Sequence, residues 1–179
     1  MTLYTHIDSP LGQLLLTSRE GKLSGLTFAD QPHARTVPGW VRRDDADIFA
    51  QTARQLEEYA SGQRKRFDLP LDAGGTPFQA LVWNAIAAIA FGQTITYGEL
   101  AQRIGRSPGD ARAVGTATGR NPVCWIVACH RVIGKSGALT GYAGGVARKS
   151  ALLEFEAARS AGREAILAYG DKQPAPALV

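Results

Sequence analysis

Three times between residues 76 and 110 the chain writes the same start signal for a helix, and this repetition limits what its C-terminal half can fold into. Thr76-Pro77-Phe78-Gln79, Thr96-Tyr97-Gly98-Glu99 and Ser107-Pro108-Gly109-Asp110 each place a hydroxyl side chain three residues before Gln, Glu or Asp. The hydroxyl oxygen accepts from a free N–H of the first turn, and the later side chain reaches back to the cap's own N–H. Proline at the first helical position loses a donor that is unused there. The first start opens a helix with Phe78, Leu81, Val82, Ala85, Ile86 and Ile89 on one stripe, and the second a short helix with Leu100, Ala101 and Ile104. The third opens a helix over about 108–118. Gly105-Arg106 leaves room only for a tight connection, so the second and third helices read as a helix-turn-helix.

Upstream the periodicity changes. Residues 3–7, 13–17 and 23–28 are short β-prone runs, separated by the turn formers Pro10-Leu11-Gly12 and Arg19-Glu20-Gly21-Lys22. A helix is predicted over 47–61, with Ile48, Ala53, Leu56 and Tyr59 as its apolar members and Gly62 closing it. Leu69-Pro70-Leu71-Asp72-Ala73-Gly74-Gly75 is extended, then flexible, and reads as a boundary. The expected class is α/β (α+β). Residues 1–75 form a small α/β subdomain with an antiparallel sheet, 76–160 a mostly helical domain, and 161–179 an extension whose Pro174-Ala175-Pro176-Ala177 end is expected to be disordered.

The charge is uneven. The net charge is +4, and residues 97–150 carry eight Lys and Arg against only Glu99 and Asp110. A local excess of this kind suits a polyanion such as nucleic acid, although a solvated basic face would read the same way. The third helix, rich in Gly and Ala, would let its backbone approach another surface closely, with Arg112 as the one long cation reaching further. No apolar run approaches the ~18 residues of a membrane span, and the N-terminus lacks a signal-peptide pattern. A soluble cytoplasmic protein with no membrane partner is the expectation. Two cysteines, Cys124 and Cys129, without paired spacing predict neither a disulfide framework nor a metal site.

The densest stretch is Asn121-Pro122-Val123-Cys124-Trp125-Ile126-Val127-Ala128-Cys129-His130-Arg131-Val132-Ile133-Gly134. Trp125-Ile126-Val127 reads as a buried strand or extended segment, leaving Cys129 where the chain exits the core. Polar neighbours there can lower a thiol pKa. Consecutive side chains of an extended segment point apart, so a thiol–imidazole contact needs a turn or a bridging water. His130 needs a carboxylate to orient it. In the following helix, about 147–159, Glu156 shares a face with Leu152 and Leu153, whereas Glu154 points elsewhere. A lone Cys-His pair is more often structural, and Cys124 is read as a small apolar residue.

Residues 77–156 nevertheless resemble the C-terminal domain of the O6-alkylguanine-DNA alkyltransferases. Ala128-Cys129-His130-Arg131-Val132 stands where that family has proline-cysteine-histidine-arginine-valine. Phe91-Gly92-Gln93-Thr94-Ile95-Thr96-Tyr97 is similar to its lead-in to the helix-turn-helix, and Ala111-Arg112-Ala113-Val114-Gly115 to its recognition helix. Asn121-Pro122 is similar to its asparagine hinge, and residues 137–145 to its active-site loop. The resemblance implies a ribonuclease H-like N-terminal subdomain, a winged helix-turn-helix-like C-terminal domain and no cofactor or metal. The partner it implies is double-stranded DNA carrying O6-alkylguanine, with O4-alkylthymine as a second candidate substrate, bound by a monomer.

By the same resemblance Cys129 accepts the alkyl group, His130 takes the thiol proton through water, and Glu156 holds His130. Tyr97 donates to the guanine, and Asn121 braces the turns. Arg112 fills the gap left by the flipped base, with Ala111, Ala113, Gly115 and Arg120 also on the DNA side. Val132, Tyr142, Ala143, Gly144 and Cys124 line the pocket. Ala128 in place of proline bears on the rigidity of the Cys129 turn. Two other classes stand beside this reading. One is a binding module that only marks damaged bases, whose relatives lack the acceptor cysteine. The other is a cysteine hydrolase, which would leave the helix-turn-helix idle.

Overall fold

In the computed structural model, which describes residues 1–168, strands β1 (Thr2–Ile7), β2 (Leu14–Arg19) and β3 (Lys22–Phe28) form an antiparallel meander. The expected Pro174–Ala177 segment lies outside the described residues. The sheet order is β3-β2-β1-β4, and the two-residue β4 (Val41–Arg42) pairs parallel to β1. The sheet is therefore antiparallel except at this edge, which the sequence does not announce: Val41-Arg42 is too short to show a period.

Helix α1 (Asp47–Ala60) packs Ile48, Phe49, Leu56 and Tyr59 into a core shared with Leu14, Leu16, Leu26 and Phe28. It closes at Ser61 and Gly62, whose φ of 79° is a conformation that glycine adopts at no steric cost.

Both threonine capping boxes form. Thr76 and Gln79 exchange bonds at the start of α2 (Pro77–Ala87), and Thr96 and Glu99 at the start of α3 (Tyr97–Arg103). The stripe on α2 differs from expectation: Val82, Trp83 and Ile86 are buried, but Leu81 is 45% exposed. Trp83 takes the inward position because its indole N–H donates to Ala117 O at 2.8 Å, tying α2 to the helix that holds Ala117. The third start caps a 3-10 turn over Pro108–Asp110, and the helix proper, α4, runs Ala111–Gly119. Gly105, at φ 73°, makes the turn between α3 and this unit. Two-residue strands β5 (Ile95–Thr96) and β6 (Val132–Ile133) pair in parallel, and α5 (Val146–Ser160) closes the fold.

The two halves share one apolar core, and the segment after α4 is anchored on the sheet. Leu26 N–H donates to Pro122 O at 2.8 Å, and Leu26 bridges Val123 beyond the edge of β3. Among the described residues no helix is long and apolar enough to cross a membrane.

Candidate active site

Residues 121–131 are not the strand expected from Trp125-Ile126-Val127. The chain turns at Trp125, which is fully buried with φ 79°, and Val127 N–H closes the turn onto Val123 O at 3.0 Å. A bulky residue in the left-handed region is costly and persists only when its surroundings dictate it. Here Phe28 stacks on the indole, Tyr59 meets it edge-on, and Asn121 spans the turn. The Asn121 Nδ2 donates to Val127 O at 2.7 Å, and its Oδ1 accepts from Val123 N at 3.1 Å. Side-chain volume overrides the β-propensity of Trp-Ile-Val. Ala128 follows at φ −71°, within the range proline would fix, so the alanine keeps the geometry that the family's proline would impose.

Cys129, His130 and Arg131 then form a 3-10 turn, all three buried. Burial pushes the Cys129 thiol up, against the expected lowering. The Asn121 amide, the Lys149 charge and the backbone N–H groups of Cys129 and Trp125 pull it back only in part. At neutral pH the sulfur is a thiol and needs a base.

His130, next in the turn, is fully buried. Burial pushes its pKa down, outweighing the opposing pull of Glu156, so the ring is neutral at neutral pH. Its Nε2 lies 2.8 Å from Glu156 Oε1. A carboxylate only accepts, so Nε2 carries the proton and Nδ1 the lone pair. Nδ1 is buried and has no hydrogen-bond partner among the described residues.

Glu156 sits on the buried face of α5, as its spacing from Leu152 predicts, while Glu154 is exposed. It is more heavily bonded than sequence reasoning could foresee. Arg131 donates from Nε at 3.0–3.1 Å and Nη2 at 2.8 Å, Tyr59 Oη at 2.5 Å, and Gly92 N at 2.8 Å. Burial would raise this carboxyl, but the hydrogen bonds from His130 and Arg131 and the guanidinium charge prevail and hold it down to about 2. Because His130 is neutral, the guanidinium supplies the lasting countercharge.

Lys149 is the other residue not foreseen. It is fully buried, donating to Val132 O at 2.5 Å and Thr140 O at 3.0 Å, so it ties β6 to the active-site loop beside the thiol. Its spacing from Leu152 and Glu156 puts it on the apolar face of α5, a signal that was there to be read.

The remaining predicted residues fall on two sides. Tyr97, Ala111, Arg112, Gly115, Thr140 and Gly141 line a groove of about 810 Å³, together with Lys135 at its rim. Arg112 and Ala113 are exposed, and the half-buried Tyr97 donates its hydroxyl to Thr140 O at 3.1 Å. Cys129 does not line this groove. Arg120, Asn121, Cys124 and Ala143 instead line a separate groove of about 480 Å³ against the N-terminal sheet, with Arg19, Arg35 and Trp40. Arg120 therefore does not share the groove of Arg112, and Cys124 is tied to the sheet, its Sγ 3.4 Å from Leu26 O.

Val132 is buried on β6, and Tyr142 stands edge-on to His130 at 6.3 Å. Gly144 admits no side chain: a Cβ would lie 2.5 Å from Phe28 and 2.6 Å from Tyr142. Arg148 secures this loop, donating to Gly144 O and to the carboxylate of Asp30 while covering the Phe28 ring.

A helix-turn-helix beside a buried thiol, imidazole and carboxylate defines a class: a DNA-binding protein that carries a nucleophilic cysteine. More narrowly, the chain belongs to the 6-O-methylguanine DNA methyltransferase family. Residues 77–158 match its DNA binding domain and residues 2–73 its ribonuclease-like domain. The chain is 46% identical over 160 residues to the methylated-DNA--protein-cysteine methyltransferase of Mycobacterium tuberculosis (strain H37Rv), covering 89% of this chain and 95% of that protein. It is equally similar, 46% over 154 residues, to the protein of that name from Methanosarcina acetivorans, covering 86% and 97%. The crystal structure of M. tuberculosis OGT in complex with DNA superposes with a TM-score of 0.81, covering 88% of this chain and 94% of that one.

Proposed function

We propose that this chain repairs double-stranded DNA directly, moving the alkyl group of O6-alkylguanine onto Cys129 in one irreversible step. The observation that carries the reading is the buried His130–Glu156 pair at 2.8 Å, with His130 in the same 3-10 turn as the thiol and Glu156 on α5. His130 Nδ1 takes the Sγ proton through a water, the bond between O6 and the alkyl carbon breaks, and the sulfur–carbon bond forms. The guanine leaves as a base that gains negative charge, and Tyr97, at the N-terminus of α3, donates to its N3. To do so the Tyr97 hydroxyl exchanges Thr140 O for the base. The product is a thioether with no leaving group to expel, so each monomer acts once.

The exposed cations Arg103, Arg106, Arg112 and Lys135 bind the phosphate backbone, while Arg131, Arg148 and Lys149 are buried and hold the fold instead, and α4 approaches the duplex closely because Ala111, Ala113 and Gly115 are small. Arg112 takes the place of the extruded base. Residues 76–160 form the working unit and 1–75 its support.

Arg112→Ala tests this assignment. Transfer from a duplex containing O6-methylguanine is expected to fall about a hundredfold, the cost of a few kcal/mol of unstacking left uncompensated. Transfer from the free alkylated base is expected to be unchanged. The melting temperature should hold, because the side chain is exposed. Equal losses on duplex and free base would remove Arg112 from base extrusion.

A further inference from the structure

We infer that Tyr59, contributed by α1 of the N-terminal half, is a positioning residue of the transfer centre, its hydroxyl setting how tightly Glu156 holds the His130 ring. The inference rests on the reading of His130 as the base for Cys129.

Tyr59 is fully buried, and its ring is clamped by Phe67 at 5.2 Å, Phe155 at 5.5 Å, Phe91 at 5.7 Å and Trp125 at 5.9 Å between centroids. That cage fixes where the hydroxyl can point. It donates at 2.5 Å to Glu156 Oε1, the same oxygen that accepts from His130 Nε2 and Arg131 Nη2, each at 2.8 Å. Each donor on one carboxylate oxygen draws on the same negative charge, so each leaves less of it for the others. Burial and the adjacent Glu156 charge drive the Tyr59 pKa far up, so the phenol stays a donor throughout the working range.

The other groups facing the pair are Arg131 from the 3-10 turn, Lys149 from α5, Tyr142 from the loop and Gly92 N–H. Removing the Arg131 or Lys149 charge would strand buried acceptors. Removing the Tyr59 hydroxyl leaves Oε1 with His130 Nε2 and with Nη2 and Nε of Arg131, and so alters the hold on His130 without emptying the site. The N-terminal half thereby reaches into the chemistry across 97 residues of sequence.

The test is Tyr59→Phe in the full chain. Losing the competing donor makes the carboxylate a better acceptor for His130 Nε2–H and raises the basicity of the ring. The Nε2–H proton resonance is expected to move downfield. The acid limb of the transfer rate against pH is expected to move up by about half a unit, since the neutral ring is then reached only at higher pH. 3-Fluorotyrosine at position 59, a stronger donor that preserves the packing, should shift both in the opposite direction.

A variant that melts lower but keeps the wild-type resonance and acid limb would overturn the inference, leaving Tyr59 a packing residue. The resonance is read without any transfer, so the two layers separate. If His130→Gln transfers at the wild-type rate, the base assignment has failed. If His130→Gln is slow and neither Tyr59 variant shifts the resonance or the limb, the Tyr59 inference has failed.

Discussion

Cys129→Ala is expected to remove no alkyl group from DNA while binding the same duplex with an affinity within about threefold of wild type. The phosphate backbone dominates affinity for DNA, and Cys129, 3% exposed, presents nothing to it. The fold should tolerate the change, since trading one buried sulfur for a hydrogen costs about 1 kcal/mol, and the turn is held instead by Asn121 and by the packing of Trp125. Electrophoretic mobility shift with the lesion duplex, alongside a transfer assay, checks both parts. Residual transfer would point to another acceptor, and the first to examine is Cys124. That residue is a poor nucleophile: it is completely buried, and burial with the neighbouring Cys129 charge drives its thiol pKa far up.

The second large effect belongs to Glu156→Gln, and it is a loss of both stability and rate. The Arg131 side chain, 8% exposed, has Glu156 as its countercharge. Leaving a buried cation unpaired costs about 3–5 kcal/mol, a large part of the roughly 5–15 kcal/mol that holds a domain folded. A fall in melting temperature of about 6–20 °C is expected. Glutamine both donates and accepts, so it no longer fixes which His130 nitrogen bears the proton. Below the melting range, transfer should slow about a hundredfold, within the usual range for general-base assistance.

The pH dependence follows with the same sign. The Glu156 carboxyl is held at about 2 in the folded protein against 4.5 for the free group. Its contribution is thus complete above pH 4.5 and is lost as pH falls from there towards 2. Urea midpoints should drop more steeply across that window in wild type than in Glu156→Gln. Parallel slopes and an unaltered rate would remove Glu156 from both roles.

What the sequence discloses here is what acts over short range. The capping boxes at Thr76 and Thr96 specify helix starts because their donors and acceptors lie three residues apart. The buried place of Glu156 follows from its spacing to Leu152. Cys129 and His130 stand out once the surrounding pattern is read together. What stays hidden depends on partners distant in the chain. The Trp125 turn contradicts local propensity because Phe28 and Tyr59 supply a socket for the indole, and neither is near it in sequence. The carboxylate's bonds to Tyr59 and Gly92 have no local signature. The expected drop in thiol pKa failed because the polar neighbours were visible in sequence while the depth of burial was not. The 3-10 turn stands before α4 because Asp110 N–H bonds Ser107 O, three residues back, at 2.9 Å.

Transfer to the sulfur is read most directly from the mass of the Cys129 peptide after the protein meets an excess of duplex carrying O6-methylguanine. One methyl is expected on that peptide, none on the Cys124 peptide if the two are cleaved apart, and guanine restored in an amount never exceeding one per protein chain. Restored guanine in excess of protein, or repair with an unmodified Cys129, would contradict it.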